Sequence, residues 1–499
     1  MAVYAVVSHL KILRLFLRIV GVVTQLLISI LTYRTFRKFV TENTAFVIAV
    51  FYYNIIPKNS TVPDFSNMLL WFSTLVFLSF LEFSLNRGTS ARRPAFFLIA
   101  AGVSTSLLVL SYPTCIFVVL PGCIGIWLLS AAGNRLKNLL IYLGTCGVCG
   151  LGWLTYFLCH MSFRQFLDGL SEMLTDGSHD VGLLGKLKDN LSCLGETFPY
   201  LLVALLVALV IALVFWCFFR FICRKNYRFF LLLIISLILE QLFVWYRLQK
   251  HIEYPGFVYL LFPLWGIYCY FRCKKSSGEL APVYKALFWF GSITSLFLLL
   301  AAFTASNTML YESADYMAIG MLVSLCYAER ETLESPVFWK SFVLLFVGLA
   351  VIHKGFLLYN IYGHDTIFVT RQKAEEGPMA GIYGRYSDGY EYNIRGRLLD
   401  EFIPRGSKVL IASHKSIMYL QEDYVICNYS TISTPTIDER LFQYWTLYPD
   451  KVPEYIVWDK GSEGYIATNP EVNARLVENA ELLVDDEGLL IYRLPANPY

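Results

Sequence analysis

Ionisable side chains are scarce in this 499-residue chain, so those that fall inside apolar runs stand out. Glu240 lies beside Gln241 within the apolar segment 228–246, which continues as Tyr246-Arg247-Leu248-Gln249-Lys250-His251-Ile252-Glu253. A charged residue inside a membrane segment is a functional hypothesis by default. Two readings are open here. In one, Arg247 and Lys250 snorkel at a helix end and Glu240 is hydrogen-bonded in the interior. In the other, Arg247, Lys250 and His251 clamp the phosphate of a lipid carrier, because charge-assisted bonds to phosphate suit Arg and Lys. Asp64 closes the loop that begins Ile56-Pro57-Lys58. A carboxylate there can serve as general base toward a sugar hydroxyl, but it also stands where it would cap the next helix, and we prefer the cap. Glu312 and Asp315 offer the same two options. Arg14 and Arg18, four residues apart, are either lipid-facing or part of the same anionic site.

Other groupings carry less. Asp176-Gly177-Ser178-His179-Asp180 has the side chains of a metal cluster, but its spacing matches no standard site, and a Gly-rich solvated turn is the simpler reading. No metal and no cofactor are expected. Cys146-Gly147-Val148-Cys149 has redox spacing but no basic neighbour to lower a thiol pKa; small residues that let helices pack closely explain it.

The elements that must hold these residues follow from composition. The chain is 56% hydrophobic and 16% charged, against about 25% charged in soluble domains. That excludes an ordinary soluble enzyme and a disordered chain. A membrane-crossing helix needs about 20 mostly apolar residues. Such spans fall near 15–33, 42–57, 68–86, 95–111, 114–131, 138–159, 198–222, 228–246, 255–271, 286–305, 314–328 and 337–357, about twelve in all, with 42–57 and 314–328 the shortest. The expected fold is a polytopic helical membrane bundle over 1–357, followed by a small α/β domain over 358–499. The overall charge of +3 divides unevenly: residues 358–499 carry 13 Lys and Arg against 21 Asp and Glu, leaving 28 against 17 in 1–357. The basic residues form no single patch, so nucleic acid is not an expected partner.

Alternate loops are basic: Arg34, Arg37 and Lys38; Arg87, Arg92 and Arg93; Arg135 and Lys137; Arg220, Arg224, Lys225 and Arg228; Arg272, Lys274 and Lys275. The positive-inside rule puts these in the cytoplasm. Ser111-Tyr112-Pro113-Thr114 is then a tight outer turn, and the acidic tail lies outside the plasma membrane. The first span must begin outside, although Met1–Arg14 is short and basic. Parity therefore predicts one further helix and an outer loop upstream. The loop 160–197 is also outer. Phe163, Phe166, Leu167, Leu170 and Leu174 line one helical face there, opposite Arg164, Asp168 and Glu172, as in a helix lying on the membrane surface.

In the tail, strands are expected at Lys408–Ser413, Tyr455–Trp458 and Leu489–Leu494. Helices are expected at Thr436–Trp445 and Asn469–Leu482, the latter with Asn469 as cap and Pro470 in first position. That order gives a small α/β layer domain. No Gly-rich phosphate loop follows any strand, so no nucleotide site is expected.

This layout resembles the GT-C membrane glycosyltransferases, in particular the bacterial members grouped with protein mannosyltransferases and lipopolysaccharide sugar transferases. Leu13-Arg14-Leu15-Phe16-Leu17-Arg18 running to Arg34 is similar to their early span. Ala100-Ala101-Gly102 through Tyr112-Pro113 is similar to their Gly-then-Tyr-Pro hairpin. Gly377–Ile382 and Ser433–Arg440 resemble the tail of one subgroup. The resemblance implies transfer of a sugar from a polyprenyl-phosphate donor to an envelope glycan, lipid or protein on the outer face. It also implies about thirteen spans and a catalytic Asp or Glu in the first outer loop. That loop is the one parity places upstream, so no catalytic residue carries over, and the chain reads as truncated or inactive. Two other classes fit the composition. A transporter or flippase for envelope polysaccharide predicts paired charges inside several spans or internal repeats, and neither is evident. A membrane scaffold needs only a partner for the tail.

Overall fold

The computed structural model describes residues 13–55, 61–87, 92–174, 262–271, 282–305, 313–332, 371–375, 383–413, 416–429, 439–462 and 470–495, with short helical pieces between 184 and 222 and at 274. Two compact units divide the chain, Val20–His364 and Asp365–Tyr499, with Met1–Ile19 grouped with the second.

The first unit is helical. Its elements are α1 (Leu13–Phe36), α2 (Glu42–Tyr53), α3 (Phe65–Leu85), α4 (Arg92–Ser111), a 3-10 turn over Pro113–Val118, α5 (Val119–Leu129), α6 (Arg135–His160) and α7 (Phe163–Leu174). After the helical stretch 262–271 come α8 (Pro282–Ala286, continued by a π segment Leu287–Ile293 and by Thr294–Ala305) and α9 (Ser313–Thr332). Among the described residues, five helices are long and apolar enough to cross a membrane: Phe16–Phe36, Phe65–Leu85, Arg92–Ser111, Ala132–His160 and Pro282–Ala302. In lipid a helix satisfies its own backbone, which is why such apolar runs take this form. The expected span 42–57 holds a helix shorter than the other crossings, and its last two residues lie outside the described residues. Thr41 and Asn54 cap α2 at 12 residues, about 18 Å long at 1.5 Å per residue, against a hydrocarbon core of about 30 Å. The expected spans 228–246 and 337–357 lie outside the described residues.

Hydrogen bonds between helix ends show how the chain reverses. Arg87 Nη1 donates to the Leu129 carbonyl, joining the ends of α3 and α5. The Thr41 amide donates to Glu329 near the end of α9, at 2.9 and 3.2 Å. At the opposite end, the Phe65 and Tyr112 rings stack with centroids 6.1 Å apart, and Thr114 Oγ1 donates to the Ala301 carbonyl at 2.8 Å. Helices α1, α3, α5 and α9 thus run toward one end, where the basic loops gather, and α2, α4, α6 and α8 run away from it. The helix does break at Ser111-Tyr112-Pro113-Thr114: Tyr112 is extended (φ −152°) and Pro113 opens the next turn.

The interior is tight. A Cβ on Gly102 would lie 2.7 Å from Thr145 Cβ, and one on Gly125 would lie 2.3 Å from the Phe290 ring. Cys146 Sγ donates to the Gly102 carbonyl at 3.6 Å, in the same α4–α6 contact. Ile19, Val22, Val23, Leu26 and Leu27 on α1 and Leu140, Val148 and Leu151 on α6 are exposed. An apolar belt of that extent suits a lipid surround.

Helix α7 opens with a capping box: Gln165 N donates to Ser162 Oγ at 3.2 Å, and Ser162 N donates to Gln165 Oε1 at 2.8 Å. Arg164 and Asp168 pair one turn apart on its polar side.

The second unit holds a two-stranded ribbon, β1 (Arg371–Lys373) with β2 (Tyr383–Arg385), then α10 (Tyr386–Phe402), β3 (Lys408–Ala412), β4 (Val425–Ile426), α11 (Glu439–Leu447), β5 (Tyr455–Asp459), α12 (Pro470–Val477), β6 (Glu481–Asp486) and β7 (Leu489–Arg493). The five-stranded sheet has the order β4-β3-β5-β7-β6. β4, β3 and β5 are parallel, and β7 is antiparallel to both its neighbours. Alternation along the strands builds a three-layer sandwich. Leu410, Ala412, Ile456 and Trp458 pack with Leu441, Phe442 and Trp445 of α11 and Val472 and Leu476 of α12. Val409, Ile411, Val457 and Ile491 pack with Leu399 of α10, Ile403, Met418 and Tyr419.

One expected element is corrected. The helix expected over Asn469–Leu482 stops at Val477, and Glu481–Asp486 is a strand. Glu487 (φ 46°) and Gly488 (φ 74°) form a two-residue hairpin turn that returns the chain as β7. Cross-strand pairing overrides the helical pattern there.

Crowding at Gly102 yields a prediction. Gly102→Val forces α4 off α6, and overpacking of this kind costs about 1–3 kcal/mol. The thermal midpoint of the purified protein in detergent should fall, while Gly147→Val, with open space around it, should leave it within error.

Candidate functional site

Of the residues singled out by sequence, Glu240, Arg247, Lys250 and His251 lie outside the described residues, as do Glu312 and the segment Asp176–Asp180. Asp315 sits in the first turn of α9. Asp64 is the N-cap of α3: its Oδ1 accepts from the Asn67 amide at 2.7 Å and from Asn67 Nδ2 at 2.9 Å. The next residue, Phe65, stacks on Tyr112 at the end of the bundle away from the basic loops.

At the basic end, the last turns of α1 and α3 and the first turn of α4 converge on a carboxylate that the sequence reading passed over. Glu82 is buried near the end of α3. Its Oε1 accepts from Thr35 Oγ1 at 3.0 Å and from Lys38 Nζ. Its Oε2 accepts from Asn86 Nδ2 at 3.0 Å. Asn86 also returns to the Glu82 carbonyl at 2.8 Å and ends the helix. Helical geometry brings Glu82 and Asn86 together, because residues four apart share a face. Lys38 arrives from the loop after α1, where the chain turns through Arg37 and Lys38 back toward Phe36.

A cleft of about 340 Å³ opens against this cluster, lined by Lys38, Glu82, Asn86, Arg92, Arg93, Phe96 and Phe97. Arg92 and Arg93 are exposed. The neighbouring Arg87 is used structurally: besides Leu129 it donates to the Ser84 carbonyl and hydroxyl, each at 3.2 Å. Glu82 is bonded on both oxygens by donors that stabilise the anion. Its two oxygens are thus taken up by bonds that tie α1, the loop after it and the end of α3 together. The cleft as a whole carries three cations against one carboxylate. Sequence reasoning missed Glu82 because it scored the run 68–86 as apolar. The readable signal was a Glu four residues before a helix-ending Asn, with a lysine available in an adjacent basic loop.

The tail offers one further polar cluster. In open α/β sheets ligands bind beyond the carboxyl ends of parallel strands. Here Asp459 at the end of β5 is fully buried. It accepts from Arg395 Nη1 at 3.1 Å, from Ser413 Oγ at 2.8 Å and from the Gly461 amide at 3.0 Å. Arg395 reaches in from α10, and its Nε and Nη2 each donate to the Glu487 carbonyl at 3.2 Å. The crevice position is filled by the protein's own side chains. Burial pushes the Cys427 thiol up to about 12, so this tail cysteine stays protonated and is no nucleophile. Among the described residues, no three His, Cys, Asp or Glu side chains converge as metal ligands.

The Lys38–Glu82 pair gives an asymmetric prediction. The Glu82 side chain is 10% exposed and that of Lys38 is 46% exposed. Lys38→Met leaves a buried carboxylate without its counter-ion, at about 1–3 kcal/mol. Glu82→Leu instead frees a lysine that can turn to water. In thermal unfolding in detergent, Lys38→Met should be the more damaging change; the reverse order would show that Glu82 is held mainly by Thr35 and Asn86.

No family model matches the sequence, and no curated protein matches it. The chain is similar to the solved structure of an Archaeoglobus fulgidus oligosaccharyltransferase in complex with Zn and sulfate, with 11% identity, 97% of this chain and 62% of that chain covered, and a TM-score of 0.38. For the apo form of that enzyme the figures are 11%, 90%, 59% and 0.40. The chain thus spans about three fifths of the length of that enzyme.

Proposed function

We propose that this chain is a membrane glycosyltransferase-like protein of the GT-C type. In this reading it sits in the plasma membrane with about twelve spans and takes a sugar from a polyprenyl-phosphate donor. It passes the sugar to an envelope glycan, lipid or protein on the outer face, where the tail also lies. The observation that carries the reading is the alternation of the bundle. Its helix ends separate into a basic end and an end that carries Asp64, the Phe65–Tyr112 stack and the capped amphipathic helix α7. With the basic end in the cytoplasm, α7 and Asp64 face outward, and an α/β unit follows in the chain. That is the layout of the GT-C resemblance read from the sequence.

In the proposed mechanism a carboxylate deprotonates the acceptor hydroxyl. Asp64, Glu240 and Asp315 are the candidates within this chain. The hydroxyl oxygen then attacks the anomeric carbon, whose bond to the donor phosphate breaks. Arg247, Lys250 and His251 receive the phosphate and stabilise its charge as it leaves. Glu82 does not favour the transporter class: it lies at the end of α3, away from the midplane, and it is consumed by structural bonds.

Two measurements test this. Membranes containing the protein, expressed with any upstream coding sequence, should transfer sugar from a polyprenyl-phosphate donor. Arg247→Ala with Lys250→Ala should lower transfer by about 10²-fold or more, the scale for lost donors to a developing anion. Unchanged transfer in that folded double variant would remove the pair from the mechanism. For orientation, a membrane-impermeant maleimide applied to intact cells should label a Ser162→Cys protein but not an Arg37→Cys protein, each in a background without other cysteines. Labelling with the opposite sidedness would invert the topology and place α7 in the cytoplasm.

A further inference from the structure

The cleft between α1, α3 and α4 lies at the basic end of the bundle, and the proposed function gives it no role. Its lining is an unusual combination. Glu82 is already matched by Thr35, Lys38 and Asn86. Among the described residues, no hydrogen-bond or ion-pair partner is found for the guanidinium groups of Arg92 and Arg93. The cleft therefore holds two exposed cations beyond those its own carboxylate neutralises. The other wall is aromatic: Phe96 is 64% exposed and Phe97 is half-buried, one turn along α4 from the arginines. The cleft sits where an apolar helix meets its polar end: Ile99 and Val103 continue the exposed apolar face of α4 beyond Phe96, and the arginines stand in its first turn.

We propose that this cleft binds a phosphate-bearing anion, with Arg92 and Arg93 on the phosphate oxygens and Phe96 and Phe97 against the apolar part. Guanidinium groups suit this ligand because their fork matches two phosphate oxygens at once. The Lys38–Glu82 pair sets the shape of the floor and leaves the net charge to the arginines. Without its own counter-ion Glu82 would repel the ligand, so the buried pair is what makes the site anion-accepting. The phosphate can belong to a lipid headgroup in the adjoining leaflet or to a soluble phosphate.

The test uses the full chain purified in a neutral detergent. Three probes are titrated: dioleoylphosphatidylglycerol, dioleoylphosphatidylcholine as the zwitterionic control, and inorganic phosphate. Binding is read by native mass spectrometry and by the shift in thermal midpoint. Phosphatidylglycerol should bind and raise the midpoint while phosphatidylcholine does not. The Arg92→Gln/Arg93→Gln protein should bind it about thirtyfold more weakly, following the per-residue magnitude for basic side chains at an anionic surface. Arg34→Gln/Arg37→Gln, which removes equal charge from the same end but outside the cleft lining, should bind as the parent does. Arg92→Lys/Arg93→Lys keeps the charge without the fork and should fall between. If the glutamine double variant does not fold, Arg93→Gln alone serves, with a several-fold loss expected. Binding of inorganic phosphate that depends on the same arginines would support the site and assign it a soluble ligand. Equal loss in the Arg34/Arg37 variant, or no loss in the Arg92/Arg93 variant, would overturn the proposal.

Discussion

Apolar helices in lipid gain little from hiding their side chains from one another, because the lipid tails are equally apolar. What holds such helices together is close approach of backbones and hydrogen bonds between helices. The bundle of this protein is built on that constraint. The buried Gln25 amide of α1 donates to the Tyr52 and Ile55 carbonyls at the end of α2, at 2.9 and 3.1 Å. Its oxygen accepts from Trp71 Nε1 of α3 at 2.6 Å, so one side chain ties three helices. Ser29 donates to the Ala49 carbonyl, Ser324 to the Phe262 carbonyl, and Thr105 bonds with Tyr142. Gly102 and Gly125 supply the close approaches. Each of these residues is small or polar, and each lies where two helices touch.

The same constraint explains where charge is allowed. A carboxylate near the end of an apolar helix is retained only where its partners come with it, and Glu82 has three from α1, the following loop and its own helix end. The three-way bonding makes Glu82 a fixed element of the cleft. Asp64 is held more lightly, by two bonds from a single residue at the start of its helix. The two carboxylates therefore differ in how firmly they are held, although each sits at an end of α3.

The tail obeys the rules of water. The central strands of its sheet, β3 and β5, are buried on both faces and read as alternating contributions to two separate cores. The crevice at the carboxyl ends of its parallel strands is filled by Arg395 and Asp459. Such buried ion pairs hold position more than they add stability, and loss of either partner strands the other.

Much of this was legible in order along the chain. Apolar runs of 17 to 22 residues announced α1, α3, α4, α6 and α8, because an apolar segment that crosses lipid without a closed barrel satisfies its backbone only as a helix. The Tyr112-Pro113 break, the Asp64 cap and the strands at 408–412 and 455–459 were read from local chemistry that acts within a few residues. Tertiary contact decided the rest. Residues 481–486 have a composition that either helix or strand accepts, and only pairing with β7 made them a strand. Glu82 and Lys38 are 44 residues apart in sequence, and Arg395 and Asp459 are 64 apart. No periodicity links such residues. A segment's preference for helix or strand is a property of its neighbours in sequence, whereas a buried charge is settled by whichever partner the packed chain brings within reach.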